Sequence, residues 1–375
     1  MRLPSGMAGP DASPSSHRPA AGAAIRDLNP GYFALVMATG IVSRAVRADG
    51  SARLSGILLA LTIACYAVLV VAYGWRLAGY RREFLADLAN PRKTFAFFTF
   101  VAASDVLGSR LAADGHSGAT VGLLIVASLA WLVLNYGVPL MLIARHGTQS
   151  ALAGANGTWF IWVVGTQSLA VSATVLPPPV AAWVVALSVT CWSVGVVLYV
   201  VVAALVVTSL LQYPVGPADV TPAYWVFMGA TAISVLAGAQ ILLLPADPLL
   251  TATRPVIAGM CVILWAFGTW LIPFLLGAGV WRHLIRKVRL TYEPGLWSIV
   301  FPVGMYGVAS RELGKAVGVS WLATLGSDEA WLALAVWAVV FVAMLGSLLF
   351  QFRQPRSSPA AVPAPAGEGR ERGPE

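Results

Sequence analysis

Ten stretches of this 375-residue chain are each long and apolar enough to cross a bilayer, and no other feature restricts the fold so tightly. They cover about residues 30–47, 55–77, 94–112, 119–144, 157–176, 180–211, 222–244, 254–280, 295–314 and 328–352. A helix needs roughly 20 apolar residues to span the hydrocarbon core. The spacing therefore predicts an all-α integral membrane protein with ten transmembrane helices. Composition agrees: 58% of residues are hydrophobic and 11% charged, against roughly 25% charged in soluble domains. So few charges cannot cover a water-soluble fold. The expected partner surface is the lipid bilayer, in the plasma (cytoplasmic) membrane.

The net charge of +8 does not point to nucleic acid. The basic residues sit at segment ends and in loops, with no basic stripe interleaved with aromatics. Cys65, Cys191 and Cys261 lie inside apolar segments without metal-ligand spacing, which reads as core packing. Residues 1–27 are rich in Pro, Ser, Ala and Gly, and residues 353–375 are similar. Both read as disordered cytoplasmic tails flanking one membrane domain, 28–352.

A repeat runs through that domain. An aromatic opens every second segment and a small residue follows seven positions later: Tyr32 and Thr39, Phe97 and Ser104, Trp159 and Thr166, Tyr224 and Thr231, Trp297 and Gly304. The anchors recur about every 65 residues, so the unit is two segments long. Two crossings return the chain to one side, so all five units share an orientation. They are then parallel-repeat hairpins arranged about an axis normal to the membrane, enclosing a central pore lined by the odd-numbered helices. The even segments echo one another, with Trp131, Tyr136 and Pro139 spaced as Trp265, Trp270 and Pro273. The loops holding Arg81, Arg82, Arg92 and Lys93, and Arg282, Arg286, Lys287 and Arg289, place both termini in the cytoplasm.

Positions 0, 4, 7 and 11 from each anchor share a helix face. The five faces hold Tyr32, Val36, Thr39, Ser43; Phe97, Val101, Ser104, Gly108; Trp159, Val163, Thr166, Ala170; Tyr224, Met228, Thr231, Val235; and Trp297, Phe301, Gly304, Val308. Turned toward one axis, they form a tube. Its Thr39, Ser104, Thr166, Thr231 and Gly304 ring lies about 10 Å beyond the aromatics. Hydroxyls donate to an anion without adding fixed charge. Small residues on a helix face also serve close packing, but five stripes in matching register favour a pore lining. The pore-lining candidates are thus Thr39, Ser43, Ser104, Gly108, Thr166, Ala170, Thr231, Gly304 and Val308. Phe301, before Pro302, is the one large ring where the other stripes carry Val or Met, which marks a gate.

Arg44, Arg110 and Arg311 end odd segments on the far side, as a basic mouth that concentrates anions or as interfacial snorkelling residues. Asp105 is the carboxylate well inside a segment; it is a candidate for proton coupling or for pairing with a neighbouring helix or arginine. His17, His116, His146 and His283 fall in tails or loops, leaving no facing pair for haem, and no P-loop is present. No enzymatic constellation appears, and no cofactor is expected.

GYFALVMATGIVS at 31–43, LWSIVFPVGMYGVAS at 296–310 and FFTFVAASDVLGSRL at 97–111 resemble one known family. It is the tellurite-resistance/C4-dicarboxylate transporter family, which takes in bacterial TehA, plant slow anion channels, and fungal malate permeases and sulfite pumps. The resemblance covers residues 28–352. It implies a ten-helix fold, a pore blocked by the phenylalanine matching Phe301, and a homotrimer with one pore per subunit. The string around Phe301 looks closer to the malate and sulfite branch. The leading expectation is transport of a small anion, a C4-dicarboxylate or a related oxyanion such as sulfite or tellurite. A passive inorganic anion channel and, more remotely, a non-conducting sensor or redox protein stand as alternatives.

Overall fold

The computed structural model describes residues 20–144 and 150–353. The remainder of both expected tails, with His17 and His146, lies outside the described residues. Within the first tail, Ala20–Arg26 is helical and not irregular, and its Arg26 carbonyl accepts from Arg76 Nε at 3.0 Å.

A helix forms at each of the ten expected places. They are α1 (Ala34–Ala48), α2 (Ala52–Gly79), α3 (Phe98–Ala112), α4 (Ser117–Ala144), α5 (Phe160–Thr174), α6 (Ala182–Gln212), α7 (Val226–Leu242), α8 (Pro248–Val280), α9 (Trp297–Val317) and α10 (Ser320–Arg353). Seven are long and apolar enough to cross a membrane by length and composition, counting the short turns that prolong them. The exceptions are α1, α5 and α9. These three are less apolar along their length: α1 carries Arg44 and Arg47, α5 carries Thr166, Gln167, Ser168 and Ser172, and α9 carries Arg311, Glu312 and Lys315 near its end.

Each odd helix is entered through a 3₁₀ turn: Pro30–Phe33, Thr94–Phe97, Gly157–Trp159, Pro222–Trp225 and Pro294–Leu296. Proline suits these positions because its missing N–H would be unpaired there anyway. Asn29 and Asn156 cap two of the turns, their side-chain oxygens accepting from Gly31 N and Thr158 N at 2.8 Å. Four anchor aromatics lie within the turns and Trp297 opens α9.

α10 begins at Ser320, eight residues before the expected 328, because Gly318 at φ 72° ends α9 in the left-handed conformation and the chain restarts at once. Asp328 and Glu329 are thereby drawn inside a helix.

The odd helices touch in a closed circuit: α1 with α3, α3 with α5, α5 with α7, α7 with α9, and α9 with α1. Each even helix leans on the odd helix before it and the odd helix after it; α10 touches α9 and α1. Burial follows this arrangement. The apolar windows of α3 and α7 are 83% and 94% buried, whereas those of the even helices are between 11% and 28% buried. The less hydrophobic helices are inside and the greasiest outside, which is stable where the surroundings are lipid tails.

Candidate functional site

The entrance turns of the odd helices surround one cavity of about 1430 Å³, lined in part by Asn29, Arg92, Thr158, Tyr224, Glu293 and Ser298. Helix N-termini carry unpaired N–H groups and the positive end of the helix dipole, so their convergence favours negative charge. The sequence signal that would have found this mouth is the polar position three before the anchors, where Asn29, Thr94, Asn156 and Thr221 stand.

The hydroxyls expected at the axis are engaged elsewhere. Thr39, Ser104, Thr166 and Thr231 each donate to a carbonyl of their own helix, of Leu35, Phe100, Trp162 and Met228, at 2.6–3.0 Å. Three of them also accept from an outer helix. Trp337 Nε1 donates to Thr39 at 3.0 Å, Trp131 Nε1 donates to Thr166 at 2.9 Å, and Tyr66 Oη lies 2.8 Å from Ser104 Oγ. Thr231 faces α8, where a Cβ on Gly268 would come within 2.5 Å of its oxygen. A hydroxyl has one proton, and here it is spent on the helix's own carbonyl. The hydroxyl ring is thus a correction to the expectation: it lies on the seams with the outer helices. The physical reason is that a buried indole N–H needs an acceptor where no water is present. Ser43 is likewise committed, donating to the Ser55 carbonyl at 2.8 Å and accepting from Arg110 Nε at 3.0 Å. Gly108 lies against Leu123 and Thr120 of α4 and Ser172 of α5. Ala170 is fully buried.

The three arginines of the expected mouth separate. Arg110 donates to Ser43, Ser55 and Asp114 at 2.8–3.0 Å, tying α1, α2 and α3 together. Arg311 pairs with Asp49 and reaches Ser327 Oγ at 3.0 Å and the Ala48 carbonyl at 2.7 Å. Both charges are neutralised in place. Among the described residues, Arg44 alone of the arginines and lysines that are not exposed has no hydrogen bond or ion pair. Glu312, an acid within its electrostatic reach, is held by Lys315 at 2.8 Å.

Helical geometry shows where Arg44 and Phe301 point. On α1, Gly40 meets Val106 of α3 and Thr62 of α2, Thr39 meets α10, and Ile41 and Val42 meet Gly304 of α9. At 100° per residue, Met37 and Arg44 fall on the arc left between α3 and α9. On α9, Pro302 meets Gly229 of α7, Gly304 meets α1 and α10, and Ser310 and Tyr306 bond to α8. Phe301, Met305, Val308 and Glu312 fall on the arc between α7 and α1. These two arcs face the middle of the circuit. Counted from the anchors, Phe301 and Arg44 differ in depth by about 12 Å, with Phe301 nearer the cavity.

Asp105 sits on the α3–α5 contact, with Oδ2 accepting from Ser168 Oγ at 2.8 Å. No ion pair to it is present among the described residues. Ser168 and Ser172, one helical turn apart, escaped sequence reasoning because neither falls on the face counted from Trp159 through Val163, Thr166 and Ala170. The described residues hold no cluster of three or more potential metal ligands.

Residues 27–345 match the family model described as voltage-dependent anion channel. The chain is 53% identical over 151 residues to the uncharacterized membrane protein Rv1735c of Mycobacterium tuberculosis, covering 40% of this chain and 77% of that one. It is 23% identical over 328 residues to the uncharacterized transporter MJ0576 of Methanocaldococcus jannaschii, covering 85% and 92%. It is 22% identical over 350 residues to the sulfite efflux pump SSU1 of Arthroderma otae, covering 85% and 90%. A model match over most of the chain, with apolar helices built for lipid, makes this a multi-pass membrane protein that belongs to the voltage-dependent anion channel family.

Proposed function

We propose that this protein moves small anions across the plasma membrane through a pore enclosed by α1, α3, α5, α7 and α9, the odd members of five repeated two-helix units. All ten helices cross, with both termini cytoplasmic and the large cavity as the cytoplasmic vestibule. The observation that carries the reading is the convergence of five helix entrances on that single cavity. Anions gather there, pass the gate at Phe301 and Pro302, and meet the unpaired Arg44 deeper in. The substrate is a C4-dicarboxylate or a related oxyanion such as sulfite or tellurite; relatives named as sulfite efflux pumps support the oxyanion class. The assembly is a homotrimer with one pore per subunit.

A panel of labelled malate, sulfite and chloride offered to proteoliposomes, with and without a pH gradient, tests this. Uptake of the oxyanions above chloride is the expected result, and no flux of any anion by folded, inserted protein would overturn it in favour of a non-conducting sensor or redox protein.

A second reading, an uncoupled channel, differs only in Asp105. In the coupled carrier, Asp105 takes up a proton, supported by the unpartnered Oδ1 of its carboxylate. Asp105→Asn then loses pH-driven uptake and keeps passive flux; equal pH dependence in both proteins favours the channel.

A further inference from the structure

α8 runs on past Val280 through a π-helical turn, Trp281–Ile285, into a stretch holding Arg282, His283, Arg286, Lys287 and Arg289. Positive charge at the end of a crossing helix is ordinary, since it answers the helix dipole and fixes topology. Neither requires the loop to fold as it does. Lys287 takes φ 55°, uncommon for a residue with a Cβ, and turns the chain back on the helix end. Val288 N donates to the Arg282 carbonyl at 3.2 Å, and His283 Nδ1 donates to the Val288 carbonyl at 2.9 Å. The turn leaves a cavity of about 110 Å³, lined in part by Arg282, His283, Arg289, Thr291 and Glu293. Arg282 Nη1 donates to the Val220 carbonyl at 2.8 Å and Nη2 lies 3.8 Å from Glu293 Oε1, but its Nε is buried and has no partner. The side chains of Arg286, Lys287 and Arg289 are exposed and form no ion pair with any described residue; Arg286 stacks over the Trp281 ring at 5.1 Å. Four permanent cations thus stand against the single acid that lines the cavity.

We infer that this loop binds the phosphate headgroup of an anionic phospholipid. The apolar span that ends here is Pro248–Ile285, so the cavity lies at the membrane surface. Leu284, Ile285 and Leu290 beside it are 71%, 65% and 75% exposed. Apolar side chains standing out next to unpaired cations match a ligand with an anionic head and hydrocarbon tails. Guanidinium donors suit a phosphate, and Arg282 and Arg289 bring them to the cavity. Pro222 and Leu296, from the entrance turns of α7 and α9, line the same cavity. A bound headgroup therefore clamps the end of α8 to the start of the helix that carries Phe301.

The test is lipid binding to the purified full chain, delipidated in detergent and titrated with phosphatidylglycerol, with phosphatidylcholine of the same acyl chains, or with inorganic phosphate. Thermal unfolding reads occupancy, because a ligand of the native state raises the unfolding temperature. Phosphatidylglycerol is expected to raise it, and the other two are not. The double variant Lys287→Gln, Arg289→Gln changes two exposed side chains and should move the titration about thirtyfold to higher lipid, each charge counting about fivefold. The double variant Arg81→Gln, Arg82→Gln makes the same charge change in the other basic loop, also at exposed side chains, and should leave the titration where it was. Equal stabilisation by both lipids or by neither, equal loss in both double variants, or an unmoved titration in Lys287→Gln, Arg289→Gln would overturn the site. Stabilisation by inorganic phosphate as large as by phosphatidylglycerol would overturn the lipid in favour of a soluble anion. Anion flux is not read in any arm, so loss of this site leaves the transport reading standing, and loss of transport leaves the site standing.

Discussion

Arg44 and Arg110 are both arginines near the end of an inner helix, yet they do opposite work. Arg110 is buried, and each of its three guanidinium nitrogens donates a hydrogen bond, to Ser43, Ser55 and Asp114. Replacing it with Gln removes a buried charge from its partners, and a loss of about 3–5 kcal/mol of stability is expected. Arg44 has no partner to lose. Arg44→Gln should therefore leave the unfolding temperature nearly unchanged while lowering anion uptake about tenfold, the effect of some 1.4 kcal/mol of lost anion affinity. Thermal unfolding and proteoliposome flux on both variants check the contrast; an uptake loss in Arg110→Gln alone, with Arg44→Gln active, would remove Arg44 from the pathway. Phe301 lies on the same central arc. Phe301→Ala takes away a buried ring next to Pro302 and should raise passive flux, measured in the same vesicles. Unchanged flux in a folded, inserted variant would sink the gate.

The element that repeats is the seam between an outer helix and the inner helix that follows it. In each of the five seams an aromatic side chain of the outer helix is hydrogen-bonded to the inner one. Tyr66 meets Ser104, Trp131 meets Thr166, Trp192 meets the Ser234 carbonyl, Trp265 meets Ser310, and Trp337 meets Thr39. The echo between Trp131 and Trp265 in the sequence thus reflects a shared bonding role. Such bonds contribute about 1 kcal/mol each in a membrane protein. Trp337→Phe should lower the unfolding temperature by a few degrees, whereas Trp270→Phe, 63% exposed and facing outward, should not. Unfolding in detergent distinguishes them. Between two inner helices, Gly229 serves a different contact: a Cβ there would stand 2.8 Å from Pro302 Cγ, so α7 and α9 approach closely beside the proposed gate.

At the scale of the whole molecule, the polar helices are enclosed and the apolar ones face outward. Exposed side chains such as Ile57, Val133, Leu211 and Val339 are what lipid tails solvate well. In the proposed reading each subunit encloses its own pore, so association does not build the pathway. The proposed trimer should appear as three protein masses per particle by light scattering corrected for detergent, with the anion flux of each pore unaffected by its neighbours. A monomeric particle that still conducts would remove the trimer and keep the pore.

The sequence by itself determined the all-helical class and where the long apolar helices lie, because apolar length and spacing are local properties that lipid enforces. It also singled out Phe301, but offered Arg44 only as one of three arginines in an expected mouth. What it could not determine was rotation about each helix axis. A face of small and hydroxyl residues reads the same whether it lines a pore or receives a neighbour's indole, since both demand little bulk. Only the tertiary structure, by showing Trp337 on Thr39 and Trp131 on Thr166, turned those faces toward the seams. Only it separated the neutralised Arg110 and Arg311 from the free Arg44, because pairing across helices depends on contacts between distant residues, as between Arg311 and Asp49, 262 positions apart.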